Sequence, residues 1–124
     1  MRNTARRKGA VSIEFALVVP IVMLVVLGLM EWGRFEMIRQ VTSTATFNGA
    51  RLGTISGATD VDVEAKVNSI LAVYFIEGAT TTTNFGADHV TVEVQVPVGP
   101  NAFFLNKFFG SATVKRQFCV ALEK

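Results

Sequence analysis

The chain has 124 residues, 50% of them hydrophobic, and this length suits one domain and little more. Its formal net charge of +2 hides an asymmetry, because four of the twelve Lys and Arg residues precede Gly9 and the remaining eight face ten Asp and Glu. No basic cluster recurs after Gly9, which argues against a nucleic-acid partner. The single cysteine, Cys119, excludes an intramolecular disulfide, and we expect it to be a small buried hydrophobe.

The N-terminus combines a basic cluster with an apolar run of membrane-spanning length. Between residues 10 and 30 the only charged residue is Glu14. A helix of these residues would be about 30 Å long, which matches the hydrocarbon thickness of a bilayer. The positive-inside rule places the start of the chain in the cytoplasm and the residues from Glu31 onward outside it. The basic cluster consists of Arg6, Arg7 and Lys8.

A conventional secretory signal is a poor match to this segment. Such a signal has a shorter apolar core and a small-x-small cleavage site on its far side. Here the far side, residues 28–33, offers no such site, and the small residue that suits a cut, Gly9, precedes the apolar run. We therefore expect a leader, residues 1–9, that is removed while the apolar helix is retained.

Glu14 is a carboxylate at the edge of a membrane-length segment, where an unpaired charge is costly. Cleavage after Gly9 would free an ammonium group at Ala10, and a neighbouring helix shifted along its axis could place this group beside Glu14. The pair would offset much of the cost that each charge has alone. Glu14 would then set the register between subunits; the alternative is a glutamate solvated at headgroup depth.

Two stretches resemble a known family. They are Gly9-Ala10-Val11-Ser12-Ile13-Glu14-Phe15-Ala16-Leu17-Val18-Val19-Pro20 and Leu27-Gly28-Leu29-Met30-Glu31-Trp32-Gly33-Arg34. This pattern resembles the TadE-like pseudopilins of the tight-adherence (Flp-type) pilus system, closely over about the first 35 residues and in layout alone thereafter. The resemblance implies cleavage by a prepilin peptidase between Gly9 and Ala10, which makes Glu14 the fifth mature residue, followed by Phe15 in the assembly segment.

Pro20 lies inside the predicted membrane helix. Because proline lacks an N–H, the carbonyl of Ala16 loses its helical partner and a kink is expected. Membrane helices tolerate such a residue. Local unwinding when the subunit leaves the bilayer and a plain tolerated kink are both open interpretations.

A stripe of apolar and small residues continues the helix beyond Met30. Its small later members suit close packing against a partner subunit or the protein's own domain. The charged pairs Glu31/Arg34 and Glu36/Arg39 lie on other faces, where a solvated surface or a subunit contact is expected. The stripe consists of Phe35, Ile38, Thr42, Ala45, Gly49 and Leu52.

The rest of the chain predicts a small α+β domain. After a break at residues 53–59, Thr59 or Asp60 can cap a second helix with one apolar face that includes Tyr74 as a core residue. Residues 79–88, including four threonines, are expected to form a loop. Residues 89–98 alternate valine with other residues as a half-buried strand, which Pro97 ends or places at an edge. Residues 112–122 alternate as a second strand.

Between the two strands, Asn101 can cap a short helical turn over residues 102–109. This turn would carry Phe103, Phe104, Phe108 and Phe109. Three interpretations are open: a lid over the end of the sheet, docking on the membrane surface, or a hydrophobic patch for a partner subunit.

The predicted architecture is thus α+β, with a long N-terminal helix at residues 10–53 that is half membrane-spanning and half stem. A domain at residues 54–124 follows, with one further helix and a two-stranded antiparallel sheet. We find no catalytic set, and the single histidine, His89, expected to face solvent, excludes a His-based metal cluster. We expect no enzyme activity, cofactor, metal or small-molecule substrate.

The resemblance implies a minor pseudopilin or pilus-assembly subunit in the inner membrane, with a cytoplasmic N-terminus and a periplasmic or extracellular outer domain. Its implied partners are the membrane, the prepilin peptidase, other pilin or pseudopilin subunits and the assembly platform, with incorporation into a surface pilus as one outcome. The alternative is a permanently anchored single-span envelope protein with an outer interaction domain. The sequence does not distinguish a major, minor or initiator role.

Overall fold

The computed structural model describes residues 3–104, 106–108 and 110–122, with side chains described from Gly9 onward. The elements are α1 (Asn3–Gly53), α2 (Asp60–Val73), β1 (Thr80–Phe85), β2 (His89–Pro97), a 3₁₀ turn (Gly99–Asn101) and β3 (Thr113–Ala121). The three strands form an antiparallel sheet in the order β1-β2-β3. The α+β fold with a long N-terminal helix is therefore confirmed. The basic leader cluster lies outside the residues whose side chains are described.

The core lies between the outer half of α1 (residues 31–53), the buried face of α2 and one face of the sheet. Valines of β2 alternate into this core as predicted, and each faces a partly buried or buried side chain of β3. Pro97 is the last residue of this central strand, so its role is termination rather than an edge position. The core residues of β2 and its end are Val90, Val92, Val94, Val96 and Val98.

The sheet has three strands rather than the predicted two, because most of the predicted loop at residues 79–88 forms β1. Residues 80–85 pair with β2 from Thr80↔Gln95 to Phe85↔Val90, and Gly86 N–H donates to the carbonyl of His89 at 2.8 Å. Threonine is β-branched and favours strands, but a run of four polar residues conceals any alternation. The pairing with β2 decides the conformation here.

The ends of α2 explain its length. At the N-terminus Thr59, one of the two predicted caps, is the N-cap. It forms a capping box with Asp62: Asp62 N–H donates to Thr59 Oγ1, and Thr59 N–H donates to Asp62 Oδ2. At the C-terminus, Ile76 N–H reaches the carbonyl of Leu71 and Phe75 N–H that of Ala72, which is the Schellman arrangement. The helix thus stops at Val73, five residues before Gly78.

Three further predictions for the outer domain were wrong. Tyr74 is 43% exposed rather than a core residue, because the helix ends one residue before it. Cys119 is exposed, since β3 is an edge strand and this position points away from the core. No helix forms over the described residues between Ala102 and Phe108; a 3₁₀ turn over Gly99–Asn101 comes earlier, and bends and turns follow. Phe109 lies outside the described residues.

Candidate functional site: the assembly stem and its attachment to the outer domain

The inner half of α1 (residues 9–30) is not packed against any other described part of the chain. From Gly9 to Met30 every residue is exposed except Val19, which is half-buried. Gly9–Gly53 is also the one helix among the described residues that is long and apolar enough to cross a membrane, and its most apolar window is unburied. This apolar half requires lipid or other helices around it, because bare apolar surface of this extent is unfavourable in water.

Ala10 and Glu14 share one face of this exposed half. They are separated by four helical residues, which is about 6 Å along the axis. Both residues are exposed, as is Phe15. The geometry leaves this face of the helix accessible to a neighbouring stem; the cleavage and the ion pair themselves stay predictions.

Pro20 lies within α1, and the helix continues on both sides of it. The residue is exposed and sits in the middle of the inner half. Its missing N–H weakens the helix one turn earlier, at Ala16. The expected kink stays a prediction.

The stripe on the outer half of α1 packs on the protein's own domain. Its central members are buried against α2 and β2, while Phe35 and Leu52 are half-buried. Gly49 marks the closest approach: a Cβ placed there would lie 2.8 Å from Val67 Cγ2 and 3.4 Å from Val63 Cγ1. Of the two alternatives for the stripe, the outer half therefore takes the intramolecular one. The buried central members are Ile38, Thr42, Ala45 and Gly49.

Glu31 holds the loop between β2 and β3 to the stem. Its side chain is only 5% exposed, and its two carboxylate oxygens accept the backbone N–H groups of Phe103 and Phe104 at 3.1 and 3.0 Å. Hydrogen bonds to a carboxylate are stronger than those between neutral groups. Neither expectation for Glu31, a solvated surface or a subunit contact, describes it within this chain, because its two N–H donors come from a loop more than seventy residues away in the same chain.

Arg34 holds two loops at once. Its Nε donates to the carbonyl of Asn101 at 3.0 Å, while Nη1 and Nη2 donate to the carbonyls of Tyr74 and Phe75 at 3.1 and 3.0 Å. The planar guanidinium suits this forked arrangement. The expected i,i+3 interaction of Arg34 with Glu31 is replaced by these backbone contacts, whereas Glu36 and Arg39 do form a surface ion pair at 2.8 Å.

Asn101 completes the attachment beneath Arg34. It is buried, accepts a hydrogen bond from Glu77 N–H at 2.8 Å and donates to the carbonyls of Glu77 and Pro97 at 2.9 and 2.8 Å. It therefore joins the loop after α2 to the end of β2, rather than capping a helix. Sequence reasoning identified the residue as structurally special but assigned it the wrong partners.

A family model for TadE-like proteins matches residues 9–51. This stretch is TadE-like. It contains both the exposed half of α1 and nearly all of the outer half, so the predicted resemblance is confirmed and extends beyond the first 35 residues. No curated protein and no solved structure gives a match.

The TadE-like segment provides the side chains of the attachment, and the outer domain provides mainly backbone groups. Glu31 and Arg34 both lie in the segment, whereas their partners are N–H and carbonyl groups of residues 74–104. Most side chains of those loops therefore take no part in the attachment; Asn101, whose side chain joins Glu77 to Pro97, is the exception. The position of both charges just after the apolar run was the available signal for this role.

Among the residues that the structure describes, no group of three His, Cys, Asp or Glu side chains could hold a metal ion. His89 is exposed at the start of β2, as predicted. Cys119 is exposed on β3.

Proposed function

We propose that this chain is a minor pseudopilin or pilus-assembly subunit, cleaved by a prepilin peptidase between Gly9 and Ala10. Its TadE-like segment would anchor it in the inner membrane, with the outer domain on the periplasmic side. Two observations support this proposal most: the family match begins at Gly9, and Glu14, five residues later, is exposed on α1. We propose no catalytic activity, cofactor or small-molecule substrate for the chain.

Glycine at position 9 is compatible with cleavage of a helical segment. The Gly9–Ala10 peptide lies inside α1, so the helix must open there before a peptidase can reach the bond. Glycine destabilises a helix interior by about 0.5 to 1 kcal/mol relative to alanine, which lowers the free energy of local opening. After cleavage, the ammonium group at Ala10 would pair with Glu14 of a neighbouring stem.

Intact-mass measurement of the membrane-extracted protein tests the cleavage. The protein is produced with and without its matching peptidase, as wild type and as Gly9→Leu. We expect the mass of residues 10–124 only for wild type with the peptidase, and the uncut mass in the other samples. Gly28→Leu is the matched control, because it changes a glycine of the same helix away from the bond.

Two results would contradict the proposal. An uncut chain in cells that contain an active peptidase excludes the processing step. Stems that never crosslink through cysteines introduced at positions 11 and 15, in cells that assemble pili, exclude the subunit contact. Either result favours the alternative of a permanently anchored envelope protein.

A further inference from the structure

Four phenylalanines are exposed where the outer domain meets the apolar half of α1. Phe103, Phe104 and Phe108 lie in the loop between β2 and β3 and are 59%, 55% and 84% exposed, and Phe75, just after α2, is 84% exposed. We call these four residues the aromatic surface. Of the three interpretations left open for the loop phenylalanines, the lid over the sheet does not fit the three described ones, because their side chains lie outside the core.

Hydrogen bonds fix the level of this surface along the stem. Glu31 follows the apolar run directly and accepts the N–H groups of Phe103 and Phe104. Side chains of a helix point toward its N-terminus, so the Glu31 carboxylate holds the loop at the apolar end of the stem. Exposed Trp32 lies at the same level, and tryptophan is enriched at membrane interfaces.

Arg34 joins the two parts of the aromatic surface. Its Cζ lies 5.3 Å from the centroid of the Phe103 ring, and its Nη2 donates to the carbonyl of Phe75. The loop after α2 and the loop after β2 are thus held on one guanidinium, about one helical turn from Glu31. Phe75, Phe103 and Phe104 are thus held at one end of the domain, and exposed Phe108 follows four residues later in the same loop.

Phe75 is an unfavourable choice for its backbone position. It occupies the left-handed position that ends α2, with φ of 54°, where glycine is the usual residue because a Cβ is disfavoured there. Its side chain packs little against the domain, since it is among the most exposed large hydrophobic side chains of the described chain. An aromatic side chain retained in such a conformation points to a partner outside the chain.

We propose that the aromatic surface docks into the headgroup region of the bilayer that α1 crosses. Lipid is the occupant favoured by position, because the surface is held at the end of the apolar span, and phenylalanine rings partition into that region. Exposed Lys107 lies between the rings in sequence and suits the phosphates of anionic lipids. The proposal requires α1 to span a membrane, but requires neither cleavage nor filament assembly.

Quenching of tryptophan fluorescence by brominated lipids tests this docking. Trp32 is the only tryptophan, so the double variant Trp32→Phe with Phe108→Trp reports on the loop alone. The uncut full chain is reconstituted in vesicles of phosphatidylcholine and phosphatidylglycerol brominated near the headgroups. We expect quenching as strong as that of wild-type Trp32, with emission shifted to shorter wavelength.

The matched control is Trp32→Phe with Phe85→Trp. Phe85 lies at the other end of the domain, where its Cε1 is 3.7 Å from the Cβ position of Gly53, and this end is about 33 Å from Glu31 along α1. We expect no quenching at this position. Trp32→Phe with Phe75→Trp provides a second reporter should the Phe108 variant not fold.

Three results would overturn the proposal. Loop tryptophans as unquenched and as red-emitting as the Phe85 reporter would place the surface in water. Unquenched, blue-shifted emission that is lost when the protein is diluted in lipid would assign the surface to a second copy of the chain. Unquenched emission from wild-type Trp32 would show that α1 does not span the bilayer. Because the uncut chain is used, loss of processing leaves the expected quenching intact, so the two proposals fail separately.

Phe75→Gly separates a membrane role from a role in the fold. Glycine relieves the left-handed backbone, so the melting temperature should stay unchanged or rise. Quenching of the Phe108 reporter should decrease in the same variant, since one ring of the surface is gone. A lower melting temperature with unchanged quenching would assign Phe75 to the fold and contradict its part in docking.

Discussion

The two halves of α1 share one continuous backbone but have opposite surroundings. Residues 9–30 are exposed almost throughout, whereas residues 31–53 carry a buried stripe covered by α2 and the sheet. Both halves are apolar on at least one face, so the hydrophobic effect acts on both. The outer half satisfies this requirement within the chain, and the inner half requires other molecules.

If the chain joins a filament, as proposed above, this difference restricts which part of α1 can contact a neighbouring subunit. The sequence left subunit packing open for the stripe from Phe35 to Leu52, but the protein's own domain already covers that stripe. Contacts between stems are therefore expected through the inner half, around Glu14. The boundary between the halves is marked by Glu31 and Arg34, which attach the domain there.

The largest effect is expected from Glu14→Val in the inner half. If Glu14 pairs with the ammonium group of a neighbour, its removal leaves a charge unpaired in apolar surroundings, a change of about 3 to 5 kcal/mol. We expect at least about a hundred-fold less protein in sheared pili, measured by quantitative immunoblotting, with unchanged melting of the outer domain. Glu64→Val, on the exposed face of α2, is the matched control. Normal incorporation of the Glu14 variant would contradict the pairing.

Two glycines of α1 test the contrast between its halves. Gly49→Val should destabilise the folded domain by about 3 kcal/mol, because its Cβ alone would meet Val67 Cγ2 at 2.8 Å and β-branched Val67 is itself buried. Gly28→Val meets nothing within 4 Å and should change the stability by less than about 0.5 kcal/mol. Chemical unfolding of both variants in detergent micelles, followed by circular dichroism, measures the difference. Equal effects would show that the outer half is not tightly covered.

Arg34→Lys tests the attachment at the boundary. Lysine has one nitrogen in place of the three that donate to carbonyls of Asn101, Tyr74 and Phe75, so we expect a loss of about 1 to 2 kcal/mol. Arg39→Lys is the control, since its exposed ion pair with Glu36 contributes little and can re-form. The same unfolding measurement applies. If both variants match wild type, apolar packing alone attaches the domain.

Sequence periodicity predicted what depends on local pattern. The long helix, a cap for α2 at Thr59 or Asp60 and the alternating valines of β2 follow from spacing and propensity alone, and all three are present, with the cap at Thr59. The pairing of β1 depends instead on a partner strand, because its threonines are polar on both faces. Local signals of this kind do not distinguish a polar edge strand from a loop.

The attachment could not be predicted from sequence for a different reason. Glu31 and Arg34 bind backbone groups, which every residue possesses, at sequence separations of 40 to 73 residues. No pairing of residue types therefore signals the contact. Exposure of Cys119 and Tyr74 likewise depends on where the sheet edge and the end of α2 fall, which spacing alone fixes only to within a residue or two.

The smallest effect on stability is expected from acid pH, and it should act on α2, which packs on the outer half of α1. The Thr59 hydroxyl and then the Thr59 backbone N–H, both donating to the carboxylate, hold the pKa of Asp62 below its ordinary value. A carboxyl group whose pKa is lower in the folded state stabilises the fold above its unfolded pKa, and this contribution is lost as pH falls through the folded pKa. Stability should therefore decrease below about pH 4.

Asp62→Asn isolates this contribution. The variant should be less stable than wild type near neutral pH, and the difference should narrow as pH falls below about 4, because Asp62 then becomes protonated in wild type. Thermal melting of both proteins across that pH range measures the convergence. The pKa of Glu93 is also lowered, by hydrogen bonds from Lys115 and Gln95, so Glu93 also loses its contribution to stability in acid. This contribution is the same in wild type and in the variant, and it cancels in the comparison. If the two melting temperatures differ by the same amount at all pH values, Asp62 caps α2 through hydrogen-bond geometry rather than charge. The packing of α2 on the outer half of α1 would then not weaken through protonation of Asp62.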